Sequence, residues 1–255
     1  MNLSEQEIKN YLDKKYQNIK IKIFDTIGST NDYAKNAVEQ KQLTKTSLIT
    51  TNTQTSGRGR FDRKFFSPAQ TGIYMTIVMF AEKNAEDILL VTLTTAVAIV
   101  KAIKNLTGIT TNIKWVNDIF FNNKKIAGIL TETVLNTKTN KIESVIIGIG
   151  LNINTQNFPE DLKDIATSLN VNISRNKFIA EITNNFFDLY NNYDNEQIIT
   201  EYKKYLITNK KIIYYIDEQK FTGKIEGVNN NGNLIINSNN KQVILNSGEI
   251  FFDEQ

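Results

Sequence analysis

The densest run of reactive side chains is residues 53–68, "TQTSGRGRFDRKFFSP", where two of the chain's 12 glycines share one stretch with three arginines. Gly57 and Gly59 permit positive φ and close backbone approach, while Arg58, Arg60 and Arg63 offer planar donor forks suited to carboxylate or phosphate oxygens. Two readings stand for this stretch: a solvated basic loop, or a flap that orders around an anion. Gly-Arg runs also occur in RNA-binding tails, but this one is short, internal and preceded by a β-rich run. At residues 28–31, "GSTN" places two hydroxyls and an amide at a helix start, where unpaired N–H groups can hold an acceptor. Read alone, Ser29 or Thr30 as an ordinary cap, with Asp32 completing a box, is the simpler account. In "IKWVND", strand alternation puts Lys114, Val116 and Asp118 on one face, opposite Trp115 and Asn117. Lys125 opens the returning strand, with Gly128 leaving space nearby. Read alone, a lysine opening a strand is more simply a solvated edge residue. "GIGLNIN" at 148–154 lacks the third glycine, the helix and the acid of a dinucleotide fingerprint, so that reading is set aside.

The 255 residues include no His and no Cys. That excludes a Ser-His-Asp triad, a thiolate nucleophile and an imidazole or thiolate zinc site. Catalysis then rests on Lys, Arg, carboxylates, hydroxyls, backbone amides or a hard metal such as Mg²⁺, an inventory suited to phosphate chemistry. A net charge of +3 is too mild to imply nucleic acid. The most apolar run, Ile88 to Val100, carries three threonines and falls short of a membrane span. The N-terminus shows no secretory pattern, so a cytoplasmic protein without membrane attachment is expected.

These groups need elements to hold them. Ser4 with Glu7 has the spacing of a capping box, and Ile8, Tyr11 and Leu12 that of one helix face. A strand ending near Asp25, a glycine turn and a helix from Ser29 or Thr30 follow. "SLITTNTQ" and "TGIYMTIVMF" read as strands, and the run from about Asp87 to Leu106 as a buried helix. "TTNIKWVNDIFFNNKKIAGILTETV" has the pattern of a hairpin about "NNKK", and "ESVIIGIGLNIN" that of a buried strand. Two helices follow, the first with Ile179, Ile182, Phe186 and Leu189 on one face. From about Lys210, short apolar runs broken by "NNNG" and "SNN" suggest a small barrel. The expected class is α+β on one sheet, with residues 1–208 as a catalytic domain and 209–255 as a second domain.

Taken in order, "GSTN", "TQTSGRGRFDRKFFSP", "KWVNDIFFNNKKIAGIL", "GIGLNIN" and "GEIFF" resemble the biotin protein ligase family from about residue 20 to the C-terminus. The resemblance implies a fold similar to the catalytic domain of class II aminoacyl-tRNA synthetases, a mixed sheet flanked by helices, with an SH3-like barrel after it. It implies that Ser29, Thr30, Asn31 and Gln54 bind biotin, that Arg58, Gly59 and Arg60 belong to a loop folding over biotin and the activated phosphate, and that Lys125 contacts the carboxylate. Arg58, Arg60 and Lys125 would thus be the catalytic cations. Arg63, Phe65, Lys114 and Asn117 are expected on the ATP side, with Asp118 toward Mg²⁺. The implied chemistry is formation of biotinyl-5′-AMP, then transfer to a lysine of the biotin carboxyl carrier protein of acetyl-CoA carboxylase.

Three positions depart from the family pattern: Asp62 for glycine, Phe65 for tryptophan and Val116 for proline. Phe65 still offers adenine a ring, Val116 suits a strand, and Asp62 would repel a neighbouring phosphate unless it pairs with Arg60 or Arg63. Asp253 stands where relatives often have arginine, so no direct contact between barrel and ATP is assigned. About twenty residues precede the first catalytic strand, from which a monofunctional form without DNA binding is expected; a homodimer is possible. The rival readings are a lipoate or octanoate ligase, whose loop has a histidine this chain lacks, and a basic RNA-binding protein.

Overall fold

The computed structural model describes residues 2–83, 87–136, 139 and 141–253. Helix α1 (Glu5–Tyr11) starts at Ser4, whose hydroxyl accepts from the Glu7 N–H at 3.3 Å. The expected capping box stays half-formed, because the Glu7 carboxylate accepts from Asn176 Nδ2 at 2.6 Å instead. Ile8 and Leu12 are buried, but Tyr11 is 46% exposed: Leu12 already has extended dihedrals, so it turns into the core while Tyr11 stays outside.

Strand β1 (Lys20–Ile27), helix α2 (Thr30–Glu39) and strand β2 (Ser47–Gln54) form a crossover, with β1 and β2 parallel as such a connection requires. Next come β3 (Gly72–Lys83), α3 (Asp87–Thr107), β4 (Asn112–Lys114), β5 (Asp118–Phe121), β6 (Lys124–Leu135) and β7 (Ile142–Asn152). The seven strands make one mixed sheet in the order β1-β2-β3-β7-β6-β5-β4. Its central strands β3 and β7 are buried on both faces because both are covered. Ile77 and Ile147 face the larger core, while their neighbours Val78 and Ile146 face a smaller one under α2 with Ala34, Ala37 and Val38. On the larger side α3 packs against α4 (Arg175–Asn192), α5 (Asn195–Tyr205) and β6. Its threonines tolerate burial because Thr92, Thr94 and Thr95 each donate to the carbonyl four residues back. Among the described residues no helix is long and apolar enough to cross a membrane.

The expected continuous strand from Lys114 to Asp118 does not form. The chain turns at residues 115–117, where the Trp115–Val116 peptide is cis, and Lys114 pairs with Asp118 across β4 and β5. Tertiary contacts override the local alternation: Trp115 is buried and donates from Nε1 to Gly232 O at 3.0 Å, and Asn117 O accepts from Ile129 N–H at 2.9 Å. Val116 therefore sits in a buried turn rather than a strand.

After α5 the strands β8 (Lys211–Ile216), β9 (Gln219–Val228), β10 (Leu234–Ser238), β11 (Lys241–Leu245) and β12 (Ile250–Phe252) form a second, antiparallel sheet ordered β11-β10-β9-β8-β12, the C-terminal SH3-like unit. Two-residue turns with both φ positive link β5 to β6 (Asn122, Asn123), β8 to β9 (Asp217, Glu218) and β10 to β11 (Asn239, Asn240). Asn and Asp tolerate that conformation, and such turns match the twist of paired strands. This unit packs on α3: Gly232 meets that helix so closely that a Cβ there would lie 2.6 Å from Leu93 Cδ1.

Candidate active site

One cavity gathers residues from distant parts of the chain. Ser29, Thr30 and Asn31 come from the start of α2, Gln54 from the end of β2, and Arg58, Gly59, Arg60 and Phe65 from the following loop. Asn117 and Lys125 enter from the β4–β6 region; Met75, Ile129 and Ile149 also border the cavity, although their side chains pack in the larger core on the other face of the sheet. The floor is backbone: Gly128 pairs with Gly150 across β6 and β7, and Gly148 faces Leu130. Each glycine makes room for one of the side chains expected at the site. A Cβ at Gly148 would collide with the Asn31 carboxamide, one at Gly150 with the Phe65 ring, and one at Gly128 would lie 3.1 Å from Lys125 Cε.

Ser29 caps α2, its Oγ accepting from Asp32 N–H at 3.3 Å. The Asp32 carboxylate does not close a box; it meets Arg58 Nη2 at 2.7 Å. Gln54 Oε1 accepts from both Thr30 N–H (2.9 Å) and Thr30 Oγ1 (3.1 Å), and its Nε2 donates to Ser67 Oγ at 3.1 Å. Asn31, 4% exposed, is fixed at both ends. Its Oδ1 accepts from Thr76 Oγ1 at 2.7 Å, and its Nδ2 donates to Leu130 O and to Glu132 Oε2 at 2.9 Å. The amide is thereby assigned one orientation by its surroundings.

The loop arginines fold onto the protein instead of into solvent. Arg58 Nη2 donates to both Glu132 oxygens at 2.8 and 2.9 Å, leaving its buried Nε–H with no acceptor. Burial opposes the Arg58 charge, but the bond to Glu132 and the carboxylates of Glu132, Asp32 and Asp62 outweigh it, holding the guanidinium above its ordinary value. Arg60 donates to Asn117 Oδ1 (3.0 Å) and to Gly248 O (2.9 Å). Burial dominates there and lowers its value against the raising pull of Asp118 and Glu249. Arg63 pairs with Glu249 in the loop before β12. Asp62 is the last of the carboxylates that raise Arg58, while Arg60 and Arg63 turn to Gly248 and Glu249 in that loop. Lys125 Nζ lies 2.7 Å from Asp118 Oδ1.

Ten of the residues expected at the site thus line one cavity, while Arg63, Lys114 and Asp118 stand beside it. Lys114 Nζ sits 5.2 to 5.7 Å from the ring centres of Phe120, Phe251 and Phe252, and burial lowers its value. Asn117 uses its carboxamide within the protein, donating to Ile129 O at 3.0 Å as it accepts from Arg60. Sequence reasoning passed over Glu132, Thr76 and the roles of Gly148 and Gly150. An acid inside the otherwise apolar run "IAGILTE" was the available signal for Glu132.

Residues 23–152 match the Biotin/lipoate A/B protein ligase family, and residues 211–253 match the Biotin protein ligase C terminal domain. The Bifunctional ligase/repressor BirA of Bacillus subtilis (strain 168) is 38% identical over 169 residues, covering 66% of this chain and 51% of that protein. The chain therefore spans about half the length of that relative. The Biotin--[acetyl-CoA-carboxylase] ligase of Mycobacterium tuberculosis is 24% identical over 238 residues, covering 88% of this chain and 85% of its own length. In fold, the biotin protein ligase from Aquifex aeolicus in complex with biotin and ATP superposes with a TM-score of 0.76 at 23% identity, over 92% of this chain and 99% of that one. The match over residues 23–152 spans half the sequence and takes in all of the cavity's lining residues, so the chain belongs to the Biotin/lipoate A/B protein ligase family.

Proposed function

We propose that this chain is an ATP-dependent biotin ligase, with residues 1–208 as the catalytic domain and 209–255 as its SH3-like companion. The observation that supports it most is the convergence of Lys125, Arg60 and Arg58, whose buried Nε–H has no acceptor, on a glycine-floored cavity that hydroxyl and amide groups also line. A carboxylic acid with a polar head fits that lining. In the first step a biotin carboxylate oxygen bonds to the α-phosphorus of ATP as the bond to pyrophosphate breaks. In the second, a lysine amine of the biotin carboxyl carrier protein of acetyl-CoA carboxylase attacks the acyl carbon, loses a proton, and AMP leaves.

Lys125 and Arg58 neutralise the carboxylate and the charge developing on phosphorus, and Arg60 adds a third cation. Ser29, Thr30, Asn31 and Gln54 receive the biotin head; Gln54 retains a second Nε2 hydrogen beyond the one given to Ser67. Arg63, Phe65, Lys114 and Asn117 flank the ATP side. Among the described residues no three potential metal ligands cluster. Mg²⁺ is ordinarily held by one or two carboxylates together with substrate phosphates, and Asp118, in the cation-lined region, fits that role; the ion would neutralise the phosphates.

Incubation with biotin, ATP and a carrier domain should give pyrophosphate and a mass increase on one carrier lysine. Carrier modification with lipoate or octanoate but not biotin would replace this reading with the other branch of the family.

A further inference from the structure

Glu132 lies on β6 at the edge of the cavity described above, and it has no part in the chemistry so far. Its side chain is 19% exposed and receives hydrogen bonds from two candidate ligand-binding groups at once, Arg58 Nη2 on the loop and Asn31 Nδ2 on α2. Three features give the carboxylate a directing role. First, Arg58 Nη2 is held at one end by Glu132 and Asp32, so the donors not committed there are the Nη1 hydrogens and the buried Nε–H, for which no acceptor stands. Second, with Asn31 Nδ2 committed to Glu132 and Leu130, its Oδ1 must turn to Thr76, whose hydroxyl also lies 2.8 Å from Thr30 Oγ1. Third, Asn31 sits on Gly148, where a Cβ would displace its amide, so its place is set from below as well.

We propose that Glu132 is a positioning residue of the ligand site: it anchors the glycine-arginine loop through Arg58, so that the Arg58 Nε–H is presented to a bound carboxylate, and it fixes the orientation of Asn31. The proposal rests on the biotin-ligase reading for the identity of the ligand, but not for the anchoring itself. A loop already tethered at Arg58 loses less conformational freedom when it closes, so part of the ordering cost of binding is removed in advance. Charge-assisted hydrogen bonds are the stronger kind, and replacing one partner by a neutral isostere has a measurable effect.

The experiment is a double-mutant cycle with Glu132→Gln, Arg58→Ala and the double variant in the full chain, read by biotin binding in calorimetry and by tryptic cleavage without ligand. Glu132→Gln should weaken biotin binding about tenfold, which is about 1.4 kcal/mol, and speed ligand-free cleavage after Arg60 and Arg63 several-fold. Melting should shift by no more than about 3 °C, roughly 1 kcal/mol or less for a chain of this length. Because Glu132 acts largely through Arg58, the double variant should bind no more weakly than about twofold beyond Arg58→Ala. Biotin affinity and cleavage both unchanged in Glu132→Gln, or losses that add fully in the double variant, would overturn the assignment. If Glu132→Gln does not fold, Glu132→Asp, which keeps the charge on a shorter stem, takes its place in the same cycle under the same criteria. If the unaltered chain binds no biotin, the ligase reading fails, and the cleavage cycle alone decides whether Glu132 anchors the loop.

Discussion

Lys125 faces Asp118 at 2.7 Å over Gly128, and that ion pair holds the ammonium at the cavity, where the proposed function has a carboxylate and a phosphate meet. Lys125→Ala should lower adenylate formation about 10²- to 10³-fold, the usual loss for one preorganised charge-stabilising group, with the fold kept, as checked by pyrophosphate release and circular dichroism. Gly148→Ala tests the floor. The added methyl would push the Asn31 amide out of its network, so biotin binding should fall sharply and unfolding free energy should drop by about 1–3 kcal/mol, the range for overpacking. Side-chain types were legible at this scale: arginine forks, a lysine beside a glycine, hydroxyls before a helix. What each side chain pairs with was not. Glu132, Asp32 and Gly248 reach the arginines only through folding, and no spacing rule relates residue 58 to residue 132 or residue 60 to residue 248.

Elements were readable wherever a local rule governed them. The buried run of α3, the shared face of Ile179, Ile182, Phe186 and Leu189, and the Asn-Asn turns all follow from periodicity or backbone preference. The stretch from Lys114 to Asp118 was misread because its shape is set from outside, by burial of Trp115 beneath the Gly232 turn and by the Asn117–Ile129 bond. Two predictions belong here. Asn123 has φ 62°, so Asn123→Val should cost about 1–3 kcal/mol in chemical denaturation, whereas Asn123→Gly should be tolerated. Biotin with ATP should also protect the backbone near Arg58 and Arg60 from trypsin; cleavage at an unaltered rate would argue against closure of this loop on ligand.

At the scale of the whole molecule, contacts far apart in sequence close the structure at two ends. The first segment is pinned to α4, where Asp188 accepts from Tyr16 Oη at 2.7 Å and pairs with Lys15. Burial pushes the Asp188 carboxyl up, but the bonds from Lys15 and Tyr16 prevail and hold it below its ordinary value. A carboxyl depressed in the folded state adds stability that is complete above its unfolded value and fades as pH falls through the folded one. The melting temperature of Asp188→Asn should therefore lie below that of the unaltered chain at neutral pH and converge with it in acid. The fold class was legible at this scale, since strands and helices followed by several short strands imply an α+β unit with a small β unit after it. How the second unit meets the first was not, because that contact depends on the packing of Gly232, Gly248 and Glu249.

The pairing of Gly128 with Gly150 has a consequence for redesign. Where a cavity is bounded by bare main chain, its contour follows from how two strands are aligned, and no exchange of residues there can deepen it; every exchange can only fill it. A variant meant to accept a bulkier acid would therefore have to gain room from the groups lying above the sheet, Phe65 first among them, since its ring already occupies the hollow over Gly150.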